Sequence, residues 1–151
     1  FYVFKFHIMH LTILLANLLI SSFLTGLIWL IQFVHYPLFK EIPQTVFSEY
    51  ESKHQKLISP IVAPLMIFEL LLSGWLFLTG IFHQYPVLTL IVACLNLIVF
   101  ASTIFIQAPM HRKLARQYDT KLIGRLVKTN FIRTAGWTLK SILLAVIVLT
   151  A

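Results

Sequence analysis

The chain has 151 residues, of which 59% are hydrophobic and 11% charged, and it carries a formal net charge of +7. Soluble domains carry about 25% charged residues, so the composition excludes a water-soluble fold and assigns the chain to a bilayer. Basic loops on one side of a membrane account for the positive charge. The absence of a basic motif with interleaved aromatics argues against nucleic acid as a partner, and a single cysteine, Cys94, removes intramolecular disulfides and multi-cysteine metal sites.

Four apolar segments, 10–34, 61–82, 87–108 and 131–151, are long enough to span, since spanning takes about 20 residues. The first is too long for a signal-peptide core and no small-residue cleavage site follows it, so it is expected to be a retained helix. Pro37 ends it, just after Gln32, His35 and Tyr36. Between Pro43 and Ser59, the spacing of Val46, Phe47, Tyr50, His54, Leu57 and Ile58 predicts one helical face. Glu49, Glu51, Lys53 and Lys56 are expected mostly away from that face. The second and third spans are joined only by His83-Gln84-Tyr85-Pro86, a tight helical hairpin.

After the third span, Met110, Leu114, Tyr118, Leu122 and Leu126 recur every fourth residue. Arg112, Lys113, Arg116, Lys121, Arg125 and Lys128 take the remaining surface. Both amphipathic stretches are expected to lie in the interface or to extend the neighbouring spans. Their cations place them in the cytoplasm and both termini outside, because the opposite side has only Lys5. The expected fold is all-α: an integral membrane four-helix bundle with two amphipathic cytoplasmic-side helices, forming one transmembrane domain. Pro37 and Pro109, 72 residues apart, mark a weak internal repeat.

Polar groups in lipid are expensive and turn inward. Such stripes are predicted at Asn17, Ser21, Thr25, Gln32 and Tyr36; at Glu69 and Ser73; at Thr89, Asn96, Thr103 and Gln107; and at Asn130, Arg133, Thr134, Trp137 and Ser141. Glu69 lies well inside the second span, where a carboxyl is neutral or paired. Arg133 is the partner in view, unless it snorkels to the headgroups, while Lys140 has no obvious acidic one. His35, His54 and His111 share the cytoplasmic half with Glu69, and three imidazoles and a carboxylate suit iron, copper, manganese or zinc. No HExxH or Glu-x-x-His repeat accompanies them. On sequence alone three readings stay open: a metal site, a metal-free hydrogen-bonding pocket and a structural polar core. Haem, between His35 and His111, ranks behind the single ions. His7, His10 and His83 belong to the opposite side.

The series His35-Tyr36-Pro37-x-Phe39, Phe47, Tyr50, His54, Pro64-x-Met66, Glu69, Gln107-x-Pro109-x-His111 and Asn130-x-x-Arg133-Thr134-x-x-Trp137 resembles a group of small bacterial four-span membrane proteins with no assigned function. The segment from Pro109 to Trp137 is also distantly similar to the anthrone oxygenase-like membrane family. The resemblance implies a bacterial inner-membrane protein with an oxygenase role on aromatic or polyketide-like substrates. No catalytic residue is carried over from it. The leading expectation is a membrane-embedded, metal-dependent oxidoreductase or oxygenase-like protein acting on a small hydrophobic molecule. His54 and Glu69 would be catalytic. His35, His54, Glu69 and His111 would hold the metal, and Tyr36, Tyr50, Gln107, Asn130, Arg133 and Trp137 would bind substrate. The alternatives are a proton-coupled transport or ion-pathway protein, and a non-catalytic accessory subunit. Lipid is an expected partner, with a homo-oligomer or a larger membrane complex as the assembly.

Overall fold

The computed structural model describes residues 2–79 and 84–150, with side chains from residue 8 onward. The expected end of the second span at residue 82, His83, and the side chains of Lys5 and His7 lie outside the described residues. The described residues are helical with no strand. Four rods, α1 (Ile8–Glu41), α2 (Gln44–Leu78), α3 (Pro86–Leu114) and α4 (Thr120–Thr150), are long and apolar enough to cross a membrane. α1 packs against α2 and α4, and α3 packs against the same two, which makes an antiparallel four-helix bundle.

The amphipathic stretches are extensions of the rods. α2 runs as one helix of 35 residues through Pro60 and Pro64. At 1.5 Å per residue it is roughly 52 Å long, well beyond a hydrocarbon core of about 30 Å. Its first turns therefore carry polar residues without leaving the helix. The inward face of these turns differs from the expected one. Phe47, Glu51, His54, Gln55 and Ile58 are buried or half-buried, whereas Val46 and Leu57 are exposed. The second amphipathic stretch is not one helix: the turn after Leu114 divides it between the end of α3 and the start of α4, with Leu114 and Leu126 buried and all six cations exposed.

α1 and α3 each change pitch before a proline. α1 is α-helical over Tyr2–Leu30 and π-helical over Ile31–His35, where the Tyr36 amide reaches back to the Ile31 carbonyl. α3 is α-helical over Pro86–Ser102 and π-helical over Thr103–Gln107, where Ala108 reaches back to Thr103. Proline has no amide hydrogen, and its ring crowds the carbonyl four residues back. A widened turn immediately before Pro37 and before Pro109 relieves that crowding. The extra residue also rotates the remainder of the helix by about 100° around the axis, and so re-aims Tyr36 and His111. The two π turns are 72 residues apart, as are the two prolines.

Every predicted inward polar residue is buried or half-buried. Large apolar side chains such as Leu19, Leu71, Leu78, Phe105 and Ile142 stand exposed on the outside, as lipid contact requires. Inside, one apolar cluster gathers around Tyr36, Phe39, Phe47, Met66, Leu126 and Trp137, and another around Leu14, Leu76, Val92, Leu144 and Ile147. α3 and α4 approach closely at Gly136, where an added Cβ would stand 2.5 Å from Val99 Cγ2. Val99 is buried and cannot swing into solvent. Gly136→Ala is expected to lower stability by about 1–3 kcal/mol, read by thermal unfolding in detergent. Gly124→Ala, with nothing within 4 Å of its Cβ, should be neutral or slightly stabilising in the same assay.

Candidate functional site

Each rod contributes one side chain to a single polar chain. The buried Arg133 guanidinium of α4 lies beside the Tyr36 hydroxyl of α1 and interacts with it electrostatically. Tyr36 Oη lies 2.8 Å from His111 Nε2 of α3. His111 Nδ1 lies 2.6 Å from Glu51 Oε1 of α2. The Glu51 carboxylate can only accept, so Nδ1 carries the hydrogen. In the neutral imidazole Nε2 then accepts from the Tyr36 O–H. Gln55, one turn after Glu51, donates to Glu51 Oε1 at 3.2 Å and to the His111 carbonyl at 3.0 Å. It locks α2 to α3 at this level. Glu51 is fully buried, and its Oε2 has no hydrogen-bond partner. A buried unsatisfied oxygen is a local weakness that points to function.

A cavity of about 350 Å³ lies beside this chain, between Ile58, Val62 and Met66 of α2 and Thr103, Gln107 and His111 of α3. Tyr36 and Arg133 reach it from α1 and α4, and His54 also lines it. Its wall is mostly apolar with a few convergent polar groups, the usual make-up of a small-molecule site. Arg133 lines this wall, and its Nε–H is buried without a hydrogen-bond partner. Its guanidinium carbon stands 5.3 Å from the centre of the Trp137 ring, which supports it from behind. His54 Nδ1 is 3.0 Å from His35 Nε2. That contact engages one nitrogen of each ring and leaves His54 Nε2 for a ligand.

The expected site residues fall into three groups. His35, His54 and His111 come together, with ring centres 4.5 Å apart for the first pair and 5.7 Å for the last two. Tyr36, Gln107 and Arg133 line the cavity with His54 and His111, although Gln107 spends its amide on Ser102 and on the Thr129 carbonyl. Glu69, Asn130, Trp137 and Tyr50 are placed elsewhere. Glu69 Oε1 pairs with Lys140 Nζ at 2.7 Å, and its Oε2 accepts from Trp137 Nε1 at 2.9 Å. The partner of Glu69 is thus Lys140 and not Arg133, and Lys140 does have an acid. Asn130 donates to Gln32 Oε1 at 2.8 Å, and Gln32 donates to the Val127 carbonyl at 3.0 Å, which clamps α1 to α4. Tyr50 packs outside against Phe39 and His35.

Among the described residues, no group of three or more His, Cys, Asp or Glu is arranged to hold a metal ion. Both nitrogens of His111 are bonded within the polar chain, and His35 and His54 are bonded to each other. Glu69, the expected carboxylate ligand, is committed to Lys140 and Trp137.

Glu51 and Gln55 escaped the sequence reading. Glu51 sits among charged and exposed residues, Glu49 and Lys53, which pair with each other at 2.8 Å on the surface. The signal that could have found it is its spacing: four residues after Phe47, three before His54 and four before Gln55. No family model, curated protein or solved structure matches the chain.

Proposed function

We propose that the chain is a membrane-embedded enzyme that takes a small hydrophobic molecule bearing an acidic or enolisable oxygen function, and that it moves a proton through Tyr36, His111 and Glu51. The observation that carries this reading is the serial hydrogen bonding of Tyr36, His111 and Glu51, one from each of three rods, with the Arg133 guanidinium of the fourth beside Tyr36, against an apolar cavity. The roles follow the logic of an activated hydroxyl with a base and an orienting carboxylate. The substrate proton passes to the Tyr36 oxygen as the Tyr36 proton passes to His111 Nε2. Glu51 holds the imidazole tautomer and stabilises the imidazolium. The Arg133 guanidinium binds the oxygen on which negative charge develops. His54 Nε2 holds a second polar group of the substrate.

In an oxygenase outcome the resulting carbanion gives its electrons to dioxygen and forms a C–O bond; loss of the second C–H at that carbon and cleavage of the O–O bond leave one oxygen as a carbonyl and the other as water. The imidazoles are bonded to one another, to Tyr36 and to Glu51, and the proton steps run through these groups. The positive-inside rule puts the relay end in the cytoplasm and the other end of the bundle outside.

The test is binding in lipid nanodiscs of an enolisable aryl ketone against an aromatic hydrocarbon of the same shape. The ketone is expected to bind more tightly, and Arg133→Gln should remove at least tenfold of that preference, since a charge-assisted hydrogen bond contributes about 1.5–3 kcal/mol. Equal binding of ketone and hydrocarbon to the unmodified protein would overturn the reading. A polar ladder from Asn17–Ser73 through Glu69–Lys140 to Arg133–Tyr36 favours a second reading, a proton pathway. Proton flux into vesicles that is lost in His111→Gln, with no binding of the ketone, would select it.

A further inference from the structure

A second groove, of about 580 Å³, lies at the corner where α3 turns into α4. Lys113, Arg116 and Lys121 line it, with Gln44 at the start of α2 and Asp119 in the turn. The three cations are exposed. Among the described residues the ion pairs are Lys53–Glu49, His111–Glu51 and Lys140–Glu69, so none of the three has an acid of this chain as partner. The supply of acids is short: five Asp and Glu in the whole chain, three of them in those pairs. Asp119 is engaged locally, its Oδ1 accepting the amides of Lys121 and Leu122 at 2.8 and 3.0 Å. The groove therefore keeps an uncompensated positive charge.

The corner is built firmly. The amides of Arg116 and Gln117 both donate to the Lys113 carbonyl, at 3.0 and 3.1 Å. The Tyr118 ring stands edge-on to Phe47 of α2, with centres 5.0 Å apart. The cations thus stand on a fixed surface, and less side-chain and loop freedom is lost when a ligand arrives. Depth along the rods identifies that ligand. The last exposed aromatic ring of α3 is Phe105, and the first of α4 is Phe131. Lys113 and Lys121 are eight and ten residues beyond them, roughly 12–15 Å along the axis. Long basic side chains reach back toward the bilayer, so their charges meet the layer of phosphates that borders the hydrocarbon.

We infer that this groove is a binding site for the phosphate of an anionic phospholipid headgroup, held by Lys113, Arg116 and Lys121. The site is separate from the cavity of the polar chain and does not depend on the function proposed for it. Because Lys113 follows His111 by two residues in the same helix, a bound headgroup would also steady the helix that carries the relay imidazole.

The experiment is native mass spectrometry of the full chain released from nanodiscs of equal phosphatidylglycerol and phosphatidylcholine. The unmodified protein should retain phosphatidylglycerol over phosphatidylcholine. The triple variant Lys113→Gln, Arg116→Gln, Lys121→Gln should lower that preference ten- to hundredfold, as expected for three basic groups at an anionic surface. The variant Arg125→Gln, Lys128→Gln removes exposed cations of α4 that do not line the groove, and it should keep the preference. Equal retention of the two lipids by the unmodified protein would overturn the inference. So would equal losses in the two variants, which would mean diffuse charge and no site. Inorganic phosphate at millimolar concentration forms the third arm. Displacement of the lipid by phosphate alone would assign the groove to the free anion and overturn the lipid.

Discussion

Replacing Lys140 with methionine is expected to lower the stability of the bundle by about 3–5 kcal/mol, because it leaves a carboxylate buried without its counter-charge. Lys140 is fully buried and Glu69 is 1% exposed. Their 2.7 Å contact sits in a tight polar layer in which Trp137 donates to the second Glu69 oxygen and Asn96 donates to the Glu69 carbonyl at 3.1 Å. The double variant Glu69→Gln, Lys140→Met should regain most of the loss. Glutamine keeps an acceptor for Trp137, and the charge that needed a partner is gone. Thermal unfolding of the single and double variants in one detergent checks this. If the double variant is as unstable as Lys140→Met, the two residues are not coupled.

Tyr36→Phe and His111→Gln should each slow proton transfer by 10²- to 10⁴-fold, the usual contribution of a positioned acid or base. The readout is deuterium exchange at the acidic C–H of a nanodisc-bound enolisable aryl ketone, followed by NMR. Tyr36→Phe removes the hydroxyl that faces both Arg133 and His111. It leaves the ring packed against Phe39, at 5.3 Å between centres, so the fold is preserved. Glu51→Gln keeps the shape but weakens the hold on the His111 Nδ1–H. Its exchange rate should fall by less than that of His111→Gln, and the two losses should not add, because the residues act as a unit. Exchange at the unmodified rate in both Tyr36→Phe and His111→Gln would exclude the relay.

Long apolar runs add up along the chain without reference to any partner, so the four rods are legible from composition and spacing alone. The inward turn of Asn17, Ser73, Asn96 and Thr134 is legible as well, because lipid offers a polar group no partner. The convergence of His35, His54 and His111 at one end was also readable, from their place at the ends of the apolar runs. Partner choice was not. Arg133 and Lys140 stand seven residues apart on the rod diagonally opposite that of Glu69, and which of them meets it depends on how α2 and α4 are rotated and shifted within the bundle. Glu51 looked like a surface acid beside Glu49 and Lys53, and only the packing of α2 on α3 buries it against His111. The π turns before Pro37 and Pro109 rotate everything beyond them by about 100°. An i, i+4 pattern read straight through such a turn loses its face. The sequence by itself determined how many rods there are and that their polar residues turn inward, because burial of apolar surface is counted one residue at a time. The tertiary structure alone decided that Tyr36, His111 and Glu51 form one hydrogen-bonded chain with Arg133 beside it, while Glu69 keeps company with Lys140. Hydrogen bonds and ion pairs require two groups within about 3 Å, and that distance is set by helix rotation and approach.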